Sequence, residues 1–354
     1  MVHWLADKGK LKLDENVANI WPEFGVNGKD QIKVHLVNHI LNHTSGLHNA
    51  LAGVTEDPKL FCDWDECLKR IAMAAPETEP GRQLIYHYLS YGWLCGGIIE
   101  HVSGKKFQDI LEESIVRPLN VEGELYIGIP PGVESRLATL AIDADDPSRL
   151  APKAHPGIPS SLTLTSISNL IALLNILDGR RAIVPGGNGH FSARALARYY
   201  ATLVDGGVIP PRHPSSSLPS LGSHPHHPMN KKDENQNQNQ NKEDTTDEVE
   251  TTIFVNPKAK IHDAFLGTGD YKNLTLPNGV FGLGFSRCRT AGGSLFGFGH
   301  AGLGGSTAYC DINNRFAIAV TLNKLCEGAL TGEIIRFICS QLDLPVPLKY
   351  VGST

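Results

Sequence analysis

Three groups of residues have the side chains and spacing to bear on chemistry. His35, His39 and His43 fall at i, i+4 and i+8 and would share one face of a helix. A zincin needs H-E-x-x-H, with Glu beside the first His as general base. Ile40 follows His39, so that motif fails. These are expected to be helix-end histidines that hydrogen-bond backbone or cap the turn at Thr44-Ser45-Gly46, with no metal. The second group, Gly304-Gly305-Ser306-Thr307-Ala308, is a near miss to G-x-S-x-G. Strand-like residues follow Ser306, whereas a nucleophile elbow needs a strand, a turn and a helix. The third group joins two distant stretches. Pro80-Gly81 leads to Tyr86-His87-Tyr88 and then Gly92-Trp93, and Phe298-Gly299-His300-Ala301-Gly302-Leu303-Gly304-Gly305 sets a histidine in a glycine-rich run. Glycines there would let a ligand lie against strand backbone. A Tyr near a Lys can act as a general base, because the positive charge favours phenolate. Taken singly, an ordinary buried tyrosine and a hairpin histidine are the plainer alternatives.

The elements that must position these residues can be read from periodicity. Helices are expected over Val34 to Asn42, Asp65 to Ala74, Leu89 to Val102, Phe107 to Ile115 (stopping before Pro118), Ser166 to Leu177 and Ala193 to Val204. Ser103-Gly104 supplies a C-cap for the third of these. Later the pattern changes to short strands at Val280 to Ser286, Leu295 to Gly299, Ser306 to Asp311 and Phe316 to Asn323. Asn313-Asn314 is a hairpin turn between the last two, and Thr331 to Leu342 is a final helix. Helices followed by an antiparallel sheet and a helix make an α+β plan. The stretch from His213 to Thr252 is Pro/Ser-rich, then Asn/Gln-rich, then acidic. It has too little apolar surface to offset its ordering entropy, and is expected to be a disordered insertion. Its His224, His226 and His227 belong to that solvated tract.

Composition removes several function classes. The chain has 354 residues, 41% of them apolar, enough for a sizeable core. With 32 Lys+Arg against 37 Asp+Glu, the net charge of −5 argues against binding nucleic acid through bulk charge. No apolar run reaches the ~18 residues of a membrane span, and Met1 to Leu13 has no apolar core like that of a secretory signal. A cytoplasmic location is the default expectation. The 7 cysteines are scattered without a C-x-x-C pair and read as reduced thiols. No G-x-x-x-x-G-K-[ST] loop is present, no G-x-G-x-x-G opens a helix, and Gly282-Leu283-Gly284 is an isolated pair. No cofactor is expected.

Several stretches, taken in order, resemble the serine β-lactamase-related family, which includes class C β-lactamases, D-Ala-D-Ala peptidases and esterases. Leu5 to Asp14 resembles its L-x-x-x-G-K-L-x-L-D segment, and Trp21-Pro22-Glu23-Phe24 its W-P-E-F. Val37 to Leu47 resembles R-H-L-L-x-H-T-S-G-L, and Pro80-Gly81 followed by Tyr86 resembles P-G-x-x-x-x-Y-S-N. Gly187 to Arg198 resembles the helix start after the family's mobile loop, and Phe298 to Asn323 its G-H-x-G-x-G-G strands. Tyr86-His87 in place of Tyr-Ser is closest to the carboxylesterase branch.

The resemblance implies a β-lactamase/transpeptidase-like domain over 1–346, with a helical lobe at about 35–210 and a sheet lobe at about 280–345. It implies a serine hydrolase acting on a small ester or amide through an acyl-enzyme. Tyr86 and His300 would be catalytic, and Tyr88 and Gly302 would bind substrate. Tyr88 stands where many members have Asn, and His300 where many have Lys. The family's S-x-x-K nucleophile helix lies just upstream of the segment that begins here at Met1. The S-x-x-K at Ser103-Gly104-Lys105-Lys106 sits instead where the family has an ordinary turn. The expectation is therefore an N-terminally truncated chain, inactive as given, with one sheet edge uncovered. The alternative is a non-catalytic binding or scaffold protein that retains the cleft.

Overall fold

Between Leu89 and Ile99 the sequence carries no charge, and the helix Ser90–Ser103 that contains this run is apolar on most of its circumference. Such a helix must be surrounded. In the computed structural model, which describes residues 1–25, 35–142, 157–211, 251–255, 258–325 and 329–351, Trp93, Leu94, Ile98 and Ile99 are buried. The helices Val2–Asp7, Val17–Ile20, Val37–Leu41, Trp64–Met73 and Phe107–Leu111 pack around it. It ends where Gly104 takes left-handed backbone, φ 66°, and its N–H bonds the Glu100 carbonyl.

The strands are β1 (Leu125–Ile127), β2 (Ala141–Ile142), β3 (Gly189–Phe191), β4 (Ser286–Arg289), β5 (Leu295–Ala301), β6 (Thr307–Asp311), β7 (Phe316–Val320) and β8 (Lys324–Leu325). β4 to β7 form an antiparallel sheet in sequence order; β1 pairs with β3, and β2 with β8. This is the α+β arrangement expected from the sequence. Ala308 and Cys310 of β6 join the main core, Ala317 and Ala319 of β7 pack against it, and the helix Ala193–Val204 lies on β6 and β7. Small side chains on those strands let the helix approach closely. On the opposite face, Tyr309 and Ile318 pack with Ile335 and Cys339 of the helix Ala329–Gln341. In β5, Phe296 joins that outer layer while Phe298 joins the main core, although they are two residues apart. The register between β4 and β5 shifts at Cys288/Arg289, alongside them. A bulge of this kind re-aims the residues that follow. It puts Phe298, and two residues later His300, on the side of the helices.

Three expectations need correction. The helix from Phe107 does not stop before Pro118. It passes through a π-helical turn, Glu112–Val116, into Arg117–Leu119. The wider turn shifts the backbone that the proline ring would strike, so the chain tolerates Pro118. Residues 280–285 are not a strand. Gly284 has φ 94° and the Gly282 N–H bonds the Phe285 carbonyl, a turn that folds Phe281 back into a single bridge with Ser286, where β4 begins. The helix near Ser166 runs from Leu164 to Asn175 and breaks at the extended Ile176. The turn at Asn313-Asn314 is as expected, with both N–H groups bonded to the Asp311 carboxylate.

The low-complexity stretch 213–252 lies outside the described residues except for Thr251 and Thr252. Thr252 bridges to Val208, and the Ile209 N–H bonds the Thr251 carbonyl at 2.9 Å, so the two ends of the excursion sit side by side. Lengthening a loop between fixed ends costs only ~0.6 kcal/mol per doubling. Replacing residues 213–250 by a short Gly/Ser linker should therefore leave the thermal midpoint within about 2 °C of the parent. Calorimetry checks this, and a large fall would mean that the segment contributes packing.

Candidate active site

The site is built around a turn. His43 has left-handed backbone, φ 62°, and Gly46 follows at φ 77°. The segment 77–87 runs beside this turn and is laced to it by backbone hydrogen bonds. Glu77 N–H bonds Gly46 O at 2.9 Å, Gly81 N–H bonds Thr44 O at 2.8 Å, and Ile85 N–H bonds His43 O at 3.0 Å. A Cβ on Gly46 would lie 2.3 Å from the Thr78 carbonyl, and one on Gly81 would lie 2.8 Å from the His39 ring. Gly46 is therefore required by close approach to backbone as well as by φ, and Gly81 by its φ of 82°. Side chains complete the joint. Ile85 O accepts from His87 Nδ1 at 2.6 Å, so His87 Nε2 is left to accept the Ser45 hydroxyl at 2.7 Å. His43 Nδ1 accepts the His87 backbone N–H at 3.2 Å.

This joint presents Tyr86, whose N–H bonds the Gly157 carbonyl at 2.8 Å. From the sheet, β5 presents His300. The Tyr86 hydroxyl lies 3.4 Å from His300 Nε2, and the rings stack at 5.8 Å with 25° between their planes. Phe281, from the turn before β4, stacks on Tyr86 at 5.9 Å, and His43 packs against Phe281 at 4.4 Å. Tyr88 turns elsewhere, its hydroxyl 3.3 Å from Ser161 Oγ. Gly302 follows β5, and its N–H is donated to Ser306 O at 2.7 Å within the hairpin. Tyr86 and His300 therefore meet, while Tyr88 and Gly302 flank them without a hydrogen bond to the pair among the described residues. In the sequence His43 reads only as a helix-end histidine that bonds backbone or caps the turn, and Phe281 is not singled out. His43 lies inside the H-T-S-G-L resemblance, which could have flagged it, whereas Phe281 has no local signal.

The remaining candidates are committed to structure. The helix Val37–Leu41 is only five residues long, so His35 and His43 fall outside it and the three histidines share no face. His35 Nε2 bonds Ser45 O at 2.7 Å. Among the described residues no group of His, Cys, Asp or Glu could hold a metal ion. Ser306 bonds both the N–H and the carbonyl of Leu322 and leads directly into β6 with no helix following, so no elbow forms. The Ser103 hydroxyl donates to Ile99 O at 2.7 Å, while Lys106 faces Asp65 and Glu100. Ser45 and His87 have the hydrogen bond of a nucleophile and its base, but both are 0% exposed.

Burial makes the site electrically neutral. It pushes the Tyr86 phenol up to about 12. It pushes His300 down to about 4, helped by the charge of Lys349 and opposed by the Ala301 carbonyl. His87 is pushed down to about 3 and His43 well below its usual value, in both cases chiefly by burial. Tyr86 is thus a proton donor at neutral pH, and His300 Nε2 is the acceptor that faces it.

Two outcomes follow. Ser45→Ala leaves the buried His87 Nε2 without a donor and should cost about 1–3 kcal/mol in urea unfolding. These histidines also bind fewer protons folded than unfolded, so their contribution is full above ~6.5 and is lost as pH falls toward their folded values. Stability should drop between pH 6.5 and 4 by up to about 1.4 kcal/mol per pH unit for each histidine. His300→Gln should reduce that slope by one proton, as read from urea midpoints across pH.

Comparison with known proteins identifies the family of this fold. A family model described as Beta-lactamase matches residues 1–334. The chain is 29% identical over 348 residues to the esterase/beta-lactamase LipL of Mycobacterium tuberculosis, covering 96% of this chain and 69% of that protein. A penicillin-binding protein homologue from Caulobacter crescentus superposes with a TM-score of 0.62 at 26% identity, over 92% of this chain and 74% of the other. A family VIII carboxylesterase shares the fold, with a TM-score of 0.63 at 22% identity over 92% and 74% of the two chains. A match spanning the helical turn that carries Tyr86 and the sheet that carries His300 leaves one assignment: the chain belongs to the Beta-lactamase family.

Proposed function

We propose that the Tyr86–His300 cleft is the acyl-transfer site of an esterase-type serine hydrolase acting on an ester or amide with a small acyl group. The observation that carries this reading is the meeting of a helical-side tyrosine and a sheet-side histidine at 3.4 Å. Tyr86 would pass a proton between nucleophile and leaving group, and His300 would hold its hydroxyl in line. Tyr88, whose hydroxyl is turned to Ser161 Oγ, has no part in this step. Gly302 would keep the floor clear, since a Cβ there would meet nothing nearer than the Ser306 carbonyl at 3.5 Å.

We propose further that these 354 residues alone bind an ester without turning it over. Acyl transfer needs a nucleophile within hydrogen-bond reach of its base. Ser45, Ser103 and Ser306 are each engaged in the fold, and a phenol held at about 12 by burial is a poor base. The non-catalytic reading, a binding or scaffold protein that keeps the cleft, has the same support.

The test uses p-nitrophenyl acetate. The 354-residue chain should release nitrophenol no faster than its Tyr86→Phe variant. A version carrying an S-x-x-K segment ahead of Met1 should show a burst and turnover at least about 100-fold above its own Tyr86→Phe variant, the usual scale of acid–base catalysis. No turnover in that version would favour the binding protein. A burst from the 354-residue chain, trapped on one serine and lost with it, would overturn the second proposal.

A further inference from the structure

His300 stands at the end of β5, where the sheet has least to hold it. β4 pairs with β5 only as far as Gly299. Among the described residues, His300 and Ala301 therefore have a strand neighbour on one side alone, Ala308 and Thr307 of β6. Gly302, Gly304 and Gly305 follow in the hairpin, and glycine backbone turns easily. A ring that must meet a hydroxyl at 3.4 Å needs firmer support.

That support comes from the outer face of the sheet. Side chains alternate along β6, so Thr307 shares the face of Tyr309, opposite Ala308 and Cys310. The Thr307 hydroxyl donates to the His300 carbonyl at 3.0 Å, and the Tyr350 hydroxyl lies 2.6 Å from Thr307 Oγ1. A threonine hydroxyl has one hydrogen, and the His300 carbonyl takes it, so Tyr350 is the donor of the second bond. Thr307 is 2% and Tyr350 6% exposed, so water does not compete. A hydroxyl that accepts one bond donates the next more strongly. Tyr350 is also fixed apart from this bond. Its carbonyl accepts from Arg336 Nη1 at 2.8 Å, its N–H bonds the Pro347 carbonyl at 2.8 Å, and its ring packs 6.4 Å from that of Tyr309.

The backbone at His300 in turn restricts its ring. The ring is hydrogen-bonded to the Ala301 carbonyl as well as facing Tyr86. The peptide that carries that carbonyl is tied down by the Gly302 N–H on the Ser306 carbonyl at 2.7 Å. Thr307 ties down the preceding peptide, so both peptides around Ala301 are fixed and the ring has little room to swing away from Tyr86.

We propose that Tyr350 and Thr307 are positioning residues, and that the relay from the Tyr350 hydroxyl through the Thr307 hydroxyl to the His300 carbonyl holds the His300 ring in register with the Tyr86 hydroxyl. The proposal rests on the reading of that pair as the working part of the cleft. It extends the site through the sheet to the C-terminal segment.

The test is ¹⁵N NMR of the 354-residue chain. It needs no turnover, so its failure and a failure of the hydrolase reading are told apart. The quantity read is the displacement of the His300 Nε2 signal by Tyr86→Phe, measured in the parent and again in each of four variant backgrounds. In Thr307→Val and in Tyr350→Phe the displacement should fall to about half its parental size or less, the signature of coupled sites in a double-mutant cycle. Thr307→Ser keeps the hydroxyl and should restore the parental value. Tyr309→Phe removes another buried hydroxyl from the same face, one bonded to Cys339 Sγ at 3.2 Å, and should also keep it. A parental displacement in both Thr307→Val and Tyr350→Phe would overturn the proposal. So would an equal loss in Thr307→Ser and Tyr309→Phe, or a parent in which Tyr86→Phe displaces nothing.

Discussion

The arrangement of this protein depends on the lacing of the turn His43–Gly46 to the segment 77–87. Two backbone stretches lie against each other there with no room for a side chain at Gly46, and their N–H and carbonyl groups satisfy one another. Without that pairing the groups would be buried without partners, which is costly. The bond from Ser45 to His87 then fixes the tautomer of one histidine, and the His87 N–H fixes that of His43. Each donor in the chain has one acceptor, so Tyr86 has little freedom in where it emerges. A partly satisfied network would be worse than an apolar one, so the joint is sensitive to single changes.

The sheet contributes its half by a different device. His300 reaches the helical side because the irregularity in β4 and β5 sends Phe296 outward and Phe298 inward. The site is therefore specified by a rigid turn on one side and a bulged strand on the other, with Phe281 filling the angle between them. The burial that secures this geometry also keeps Tyr86 and His300 neutral. Such a pair can hold or relay a proton but does not by itself generate a nucleophile. Family membership establishes the fold, and the chemistry has to be argued from these side chains.

Much of the scaffold was legible in the sequence. The helices Ala193–Val204 and Ser90–Ser103 fall where period, apolar run and cap glycine agree. The strand expected over 280–286 failed because its glycines serve a turn, and local spacing does not distinguish the two uses. His35 and His43 do bond backbone at the helix end as expected, but the three histidines share no face because the helix beneath them is cut to five residues by pairing at each end, with Leu36 bridged to Asn16 and the His43 turn tied to residues 77–87. Tyr86 and His300 were visible through resemblance. The ring contacts of Phe281 and His43 join residues far apart in sequence, so no periodicity records them.

The most direct test of the account is an NMR titration of the His300 ring nitrogens in the parent chain and in Tyr86→Phe. If the Tyr86 hydroxyl donates to His300 Nε2 in a shared, water-poor cleft, Nε2 reports an acceptor and the ring titrates near 4, with both signals moving when the hydroxyl is removed. A His300 that titrates near the ordinary ~6.5 and ignores the loss of the Tyr86 hydroxyl would contradict it.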